Sequence, residues 1–344
     1  MAEPVTVGIA GLGRSGWKMH AAALERLPEH YRVEAVMDPD PARCAEAERR
    51  FNCQSFDTYA ELTQADVELI CVATPSPFHL EQTLAALEQG KHVIVEKPLA
   101  GSVAAVDQMI AAAKKAGKRL TVNQNYRYHN YFKTMTEVMA SGKLGEVLQI
   151  RIAIHQFSRR WDWQTSRQHN GGILTNHGAH VLDWLLLHFE DDDPEVFCHL
   201  ADTPLYAGDA DSHAKVIIRP KDGPLLDVEL THANAYPQDN FLILGTQGTL
   251  TGDRNRLRWK YFVPENEKAL VLELGPAPDR SYNAETLTFV EEAVDLEDSF
   301  KNDVVQVYQD LYSTLREGKP LAITPESVRR QIDLFNKCYQ SARW

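Results

Sequence analysis

Six residues, Gly11-Leu12-Gly13-Arg14-Ser15-Gly16, separate the apolar run Val5-Thr6-Val7-Gly8-Ile9-Ala10 from a stretch of helical pattern. A G-x-G-x-x-G loop opening a helix directly after a strand restricts the fold more than any other feature of the chain. The first glycine allows a tight turn, the second lets backbone N–H groups approach a pyrophosphate, and the third lets the helix pack closely, while the helix N-terminus favours an anion. Further β-branched runs at 32–37, 67–73, 92–95 and 119–122 read as strands, apolar throughout as buried parallel strands are. Between them, 78–89 carries Leu80, Leu84 and Leu87 on one helical face and closes at Gly90. Residues 103–116 do the same with Val106, Met109, Ile110 and Ala113 before Gly117. Repeated units of this kind predict an α/β fold, a Rossmann-type doubly wound parallel sheet over residues 1–123.

From residue 124 to 344 the texture changes. A helix is expected over about 132–140, then longer alternating strands begin: Leu148, Ile150, Ile152 and Ile154 share one face while Gln149, Arg151 and Ala153 take the other. Similar runs at 212–219, 225–232, 241–244 and 257–262 alternate with turn signals such as Asp222-Gly223-Pro224 and Gly245-Thr246-Gln247-Gly248. They predict an α+β domain with a large open, mainly antiparallel sheet. Two tail helices follow at about 300–316 and 325–342, the second with Thr324 as N-cap and Pro325 in its first turn.

The chain has 344 residues, enough for two domains, and 36 Lys plus Arg against 48 Asp plus Glu give a net charge of −12. That sign is wrong for gripping phosphate backbones or anionic bilayers, so neither nucleic acid nor membrane is an expected partner. Five scattered cysteines without a C-x-x-C spacing suit a reducing compartment. No apolar run approaches the ~18 residues of a membrane span, and the first residues lack a signal-peptide pattern. A cytoplasmic protein is expected.

Three constellations carry chemistry. Asp38 ends the second apolar run, about 20 residues beyond the glycine loop, where an acid grips a ribose 2′-hydroxyl and repels a 2′-phosphate. NAD is therefore favoured over NADP. Glu96-Lys97-Pro98 ends the run 92–95, at the sheet edge where ligands bind, and a desolvated lysine there is a usable proton acceptor; an ordinary solvated lysine in a turn fits the spacing equally. Third, Gly171-Gly172 precedes Asn176, His177, His180 and Asp183, the last three stepping along one side of a helix. Two imidazoles and a carboxylate also admit a metal reading, although no further cluster suggests remaining ligands, and no metal is expected.

Taken together, the loop at Gly11, Asp38, Ala73-Thr74-Pro75 with His79, Glu96-Lys97-Pro98, and Gly171-Gly172 with Gly178, His180 and Asp183 resemble the glucose-fructose oxidoreductase, inositol dehydrogenase and MocA family. The resemblance runs over essentially the whole chain, through Arg316-Glu317-Gly318-Lys319-Pro320. It implies an NAD(P)-dependent enzyme moving hydride at a secondary alcohol of a sugar, cyclitol or related polyol. It further implies Lys97 and His180 at the reacting carbon, and a cofactor lined by Gly11, Leu12, Gly13, Arg14, Ser15, Gly16, Asp38, Thr74, Pro75, His79, Glu96, Lys97 and Asn125. Many members carry an acid where this sequence has Asn176, which can bond a substrate hydroxyl but cannot act as a base. Asn176, Asp183, Arg127, Trp163 and Arg167 are the expected substrate contacts, the aromatic and cationic groups suiting a sugar or an anionic substituent on it. Two other classes stay open: a hydrolase or lyase that retains its NAD and oxidises a sugar transiently, and a non-catalytic sensor of cofactor and sugar. The polar face holding Gln149, Arg151, Glu229 and Thr231 is either solvated or pairs with another subunit in a homo-dimer or tetramer.

Overall fold

Strands apolar on both faces need cover on both sides, and the first half of the chain supplies it with helices between strands. The structure, a computed structural model, describes residues 3–342 apart from 192, 273 and 276–281; the start at Met1-Ala2 and the last two residues of the expected second domain lie outside them. Strands β1 (Val5–Ala10), β2 (Tyr31–Met37), β3 (Gln54–Phe56), β4 (Leu69–Val72), β5 (His92–Val95) and β6 (Leu120–Val122) form one parallel sheet in the order β3-β2-β1-β4-β5-β6. The order reverses beside β1, so the loops after β1 and β4 flank a crevice at their carboxyl ends. Strand β3 escaped the sequence reading because its three residues are polar or partly exposed.

The second sheet holds β7 (Val147–His155), β8 (Glu195–Ala201), β9 (His213–Arg219), β10 (Leu225–Thr231), β11 (Phe241–Gly245), β12 (Gly248–Gly252), β13 (Arg256–Tyr261) and β14 (Val290–Asp295), in the order β14-β13-β12-β11-β7-β10-β9-β8. All neighbours are antiparallel except β7 and β10. A parallel pair needs a long crossover, and the segment from 156 to 224 provides one. Leu148 departs from the expected apolar face and is half exposed, beside a register irregularity in the β11–β7 pairing. The buried face packs on Gly178–Leu185 and Pro325–Ser341, where Trp184 stacks on Phe132 at 4.6 Å. On the opposite face Lys215 pairs with Asp227 at 2.6 Å and His155 with Glu229 at 3.0 Å. Among the described residues no helix is long and apolar enough to cross a membrane.

The first sheet ends at Val122 and the second starts at Val147, yet the chain's tail does not stay with the second. Helix Phe300–Glu317 returns to the first domain. There the Tyr308 hydroxyl meets His20 Nδ1 at 2.8 Å, Tyr31 donates to the Tyr308 carbonyl, and Arg316 pairs with Glu68. An amphipathic pattern shows that a helix covers a core, not which core, so a division after residue 123 misses this return.

The Arg127 and Asp183 side chains, expected at a substrate, instead bind each other. Arg127 Nε and Nη2 donate to the two Asp183 oxygens at 2.6 and 2.7 Å, and Asp183 is almost wholly buried. Arg127 Nη2 also reaches Ser327 Oγ on Pro325–Ser341, so the pair fastens the segment after β6 to two helices of the second domain. Both carboxylate oxygens are engaged by the guanidinium, and Asp183 does not line the cleft between the domains. Arg127→Met should strand the buried charge and cost about 3–5 kcal/mol, whereas Arg127→Met with Asp183→Leu should recover most of it. Thermal unfolding of the three proteins measures this, and a single mutant as stable as wild type would contradict the assignment.

Candidate active site

The carboxyl ends of β1, β2, β4 and β5 deliver the glycine loop, Asp38, Ala73-Thr74-Pro75 and Glu96-Lys97 to one cleft of about 740 Å³ between the domains. The second domain closes it with Asn176, His177, His180, Arg160, Trp163 and Phe241. At the loop, Gly11 has a φ of +88°, and a Cβ there would meet the Ala73 carbonyl oxygen at 2.8 Å. A Cβ on Gly16 would sit 1.8 Å from the Gly11 oxygen, whereas Gly13 faces open space. The first and third glycines thus let strand, turn and helix touch, and the second leaves bare backbone beside the cleft. Leu12 and Gly16 shape the loop, Leu12 by donating its N–H to Asp38 Oδ2 at 2.7 Å.

Asp38 is buried, and its Oδ1 accepts the Asp40 N–H at 3.0 Å and lies 3.4 Å from Arg43 Nη1. A cation therefore stands beside the acid expected to repel a 2′-phosphate. His79 has its ring nitrogens 2.9 Å from the Pro98 and Thr74 carbonyls, tying together the loops after β4 and β5. Asn125 is fully buried, and neither its amide nitrogen nor its oxygen has a protein partner. Orphaned buried amides are costly, which fits a site completed by a bound polar group. The bare loop and the ribose-side acid line the cleft and fit a dinucleotide, while Asn125 lies behind Tyr126, outside the cleft lining.

Glu96 lies almost wholly inside the protein. Its Oε1 accepts from Asn123 Nδ2 at 2.7 Å and lies 2.8 Å from His20 Nε2, and its Oε2 accepts the Lys97 N–H at 3.2 Å. Burial pushes its pKa up, but His20 and Asn123 outweigh it and hold the carboxyl at about 2. The Lys97–Pro98 peptide is cis. Lys97 points to the second domain, its Nζ donating to the Asn176 side-chain oxygen at 3.1 Å and backbone oxygen at 3.2 Å. Burial brings Lys97 down to about 8; Arg14 and Arg160 push the same way and Glu96 opposes them. His180 packs edge-on against Tyr126 at 3.8 Å with Nδ1 buried and unpaired. Burial, then the charge of Lys97, keeps it well below the usual histidine range. His177 is brought to about 3, chiefly by burial. The cleft thus offers a lysine that loses its proton near neutrality beside two neutral imidazoles.

Trp163 stands at the cleft wall, partly exposed. Arg167 does not line it: it borders a separate hollow with Asn170 and Tyr339, because the turn 163–169 directs it away and its backbone N–H donates to Asp209. With Asp183 turned to Arg127, the three-residue steps of His177, His180 and Asp183 form no ligand set, and no group of three metal-ligating side chains converges among the described residues. Sequence reasoning passed over His20, Asn123 and Tyr308, which support Glu96, and Arg254 in the turn between β12 and β13, which lines the cleft. No local pattern marks them; each is brought in by a distant strand or helix.

Comparison with known proteins supplies independent findings. Residues 5–124 match the oxidoreductase family with an NAD-binding Rossmann fold, and residues 132–251 match the GFO/IDH/MocA C-terminal domain. The chain is 29% identical over 188 residues to scyllo-inositol 2-dehydrogenase (NADP(+)) IolW of Bacillus subtilis, covering 54% of this chain and 51% of that protein. It is 29% identical over 192 residues to glucose-6-phosphate 3-dehydrogenase of the same organism, 54% of each. The chain spans about half the length of these curated relatives. The WlbA dehydrogenase from Bordetella pertussis, solved with NADH and UDP-GlcNAcA, shares the fold with a TM-score of 0.79, 19% identity and coverage of 99% of this chain and 96% of that one. With both adjoining domains matched and the cleft built at their junction, the chain belongs to the GFO/IDH/MocA family of oxidoreductases.

Proposed function

We propose that the protein is an NAD-dependent dehydrogenase acting on a secondary alcohol of a sugar, cyclitol or sugar derivative. The observation that carries this reading is Lys97, a partly buried amine poised near neutrality and held across the cleft by Asn176 beside His180. The named activities of the inositol and glucose 6-phosphate relatives support the substrate class. Bound NAD, held by the glycine loop, Asp38, Thr74 and Pro75, supplies the hydride acceptor. Lys97 takes the hydroxyl proton, and His180, neutral, hydrogen-bonds the same oxygen and orients it. Asn176 contributes a fixed acceptor that steadies the ammonium once formed. Trp163 presents an apolar ring to the sugar. Net NADH formation on free sugars, cyclitols and nucleotide sugars tests the reading; a cofactor-retaining hydrolase or lyase would show none.

Lys97 must be unprotonated to accept a proton. Its neutral fraction rises through its pKa, so kcat/KM for alcohol oxidation should climb with pH and level off above about 8. His180 is neutral well below that window and adds no inflection within it. Lys97→Met should lower kcat roughly 10²- to 10⁴-fold and abolish the inflection while NAD still binds. Asn176→Asp places a negative charge beside the ammonium, raises its pKa and should move the inflection to higher pH. A Lys97→Met enzyme with near-normal turnover would sink the assignment.

NAD preference rests on the buried Asp38 carboxylate, with Arg43 as the opposing group. The ratio of kcat/KM for NAD over NADP should exceed one in wild type and fall in Asp38→Ser, where Arg43 faces a 2′-phosphate without competition. A wild-type preference for NADP would overturn it.

The partner proposed beyond substrate and cofactor is a second copy of the chain, in a dimer or tetramer formed through the second sheet. Its outer face sets Lys215 beside Asp227 and Glu229, opposite charges that a two-fold axis can pair across subunits. Phe197 on that face is 60% exposed, a large apolar side chain placed for such a contact. Light scattering of the purified protein should give at least twice the 38.8 kDa chain mass, and Phe197→Asp should shift it toward monomer. A monomeric wild type would refute this.

A further inference from the structure

The cleft carries more cation than the proposed chemistry uses. Five basic side chains line it: Arg14, Arg43, Lys97, Arg160 and Arg254. Two have carboxylate partners, Arg43 with Asp38 at 3.4 Å and Arg160 with Asp162 at 2.8 Å. The lining Glu96 is taken by His20 at 2.8 Å. Arg14 stands on the glycine loop, where a dinucleotide pyrophosphate belongs, and Lys97 handles the proton. Arg254 is left over. It is exposed, at the tip of the turn Asp253-Arg254-Asn255 between β12 and β13, and among the described residues it makes no ion pair or side-chain hydrogen bond. Asp298 and Asp303 lie near the same cluster of Tyr126 and Tyr131, but neither pairs with it.

Arg254 and Arg160 both line the cleft that holds Lys97, His177 and His180. Tyr126, Tyr131, Phe241 and Phe300 belong to the same lining, so the cation shares its cleft with apolar and aromatic wall. A guanidinium without a carboxylate partner, on the wall of a partly enclosed cleft, is a receptor for a bidentate oxyanion. A neutral polyol offers it only single, uncharged hydroxyl acceptors, weaker partners than the paired charged oxygens of an oxyanion.

We propose that the substrate is an anionic sugar derivative and that Arg254 is the specificity-determining residue, binding the carboxylate or phosphate substituent while Lys97 and His180 face the reacting hydroxyl. This deepens the dehydrogenase reading and rests on it for the identity of the cleft, but its test reads binding and needs no turnover. NADH-loaded protein is titrated calorimetrically with D-glucuronate, D-glucose 6-phosphate and neutral D-glucose, for wild type, Arg254→Gln and Arg254→Lys. At least one anionic sugar should bind about tenfold or more tighter than glucose, with the margin falling as salt is raised. Arg254→Gln should erase the margin and leave NADH affinity and glucose binding unchanged; Arg254→Lys should keep part of it. The two anionic arms separate a carboxylate from a phosphate receptor. Equal binding of all three sugars, failure of both anions to bind, or an anionic margin that survives in Arg254→Gln overturns the proposal. Tight anion binding without NADH formation from NAD would instead refute the dehydrogenase reading and leave the anion site standing.

Discussion

A buried carboxylate with no solvent must be matched group by group, and Glu96 is where this molecule meets that demand. Its partners come from three places in the chain: His20 from the helix after the glycine loop, Asn123 from the end of β6, and the Lys97 backbone beside it. Satisfying one charge therefore fixes the relative positions of β5, β6 and the helix that opens under the loop. Lys97 inherits that rigidity. Its backbone N–H is held by the network while its amine crosses the cleft to Asn176.

Much of this was legible without coordinates because it depends on short-range patterns. Strand runs such as 92–95 and helices such as 103–116 follow from periodicity and terminal glycines, and the glycine loop carries its own stereochemical logic. The strands that went unread, β3, β8, β12 and β14, are short, glycine-flanked or edge elements whose burial comes from neighbours rather than from their own pattern. In β14 the charged Glu291 and Asp295 make sense only opposite Lys260 and Arg256 on β13.

The site was half legible for the same reason. Residues at the carboxyl ends of strands are placed by topology, so Asp38, Thr74 and Lys97 fall where the βα rhythm puts them. Asp183 and Arg127 carry the right chemistry for a sugar but are 56 positions apart in sequence, and nothing local says that they will neutralise each other. Arg254 is the converse case, an unremarkable turn residue until the second sheet carries its hairpin over the cleft.

The return of the tail to the first domain sets an order of events during synthesis. His20 emerges early with the glycine loop, but the Tyr308 hydroxyl that engages its other ring nitrogen lies 288 residues later. A chain still on the ribosome thus holds the strands of the parallel sheet with His20 tied to Glu96 but without its Tyr308 partner. Domains usually fold as their residues appear, but here a buried ring of the first domain gains its second partner only after the intervening second-domain strands have been made, so the interior of one domain is finished by a helix that follows the other.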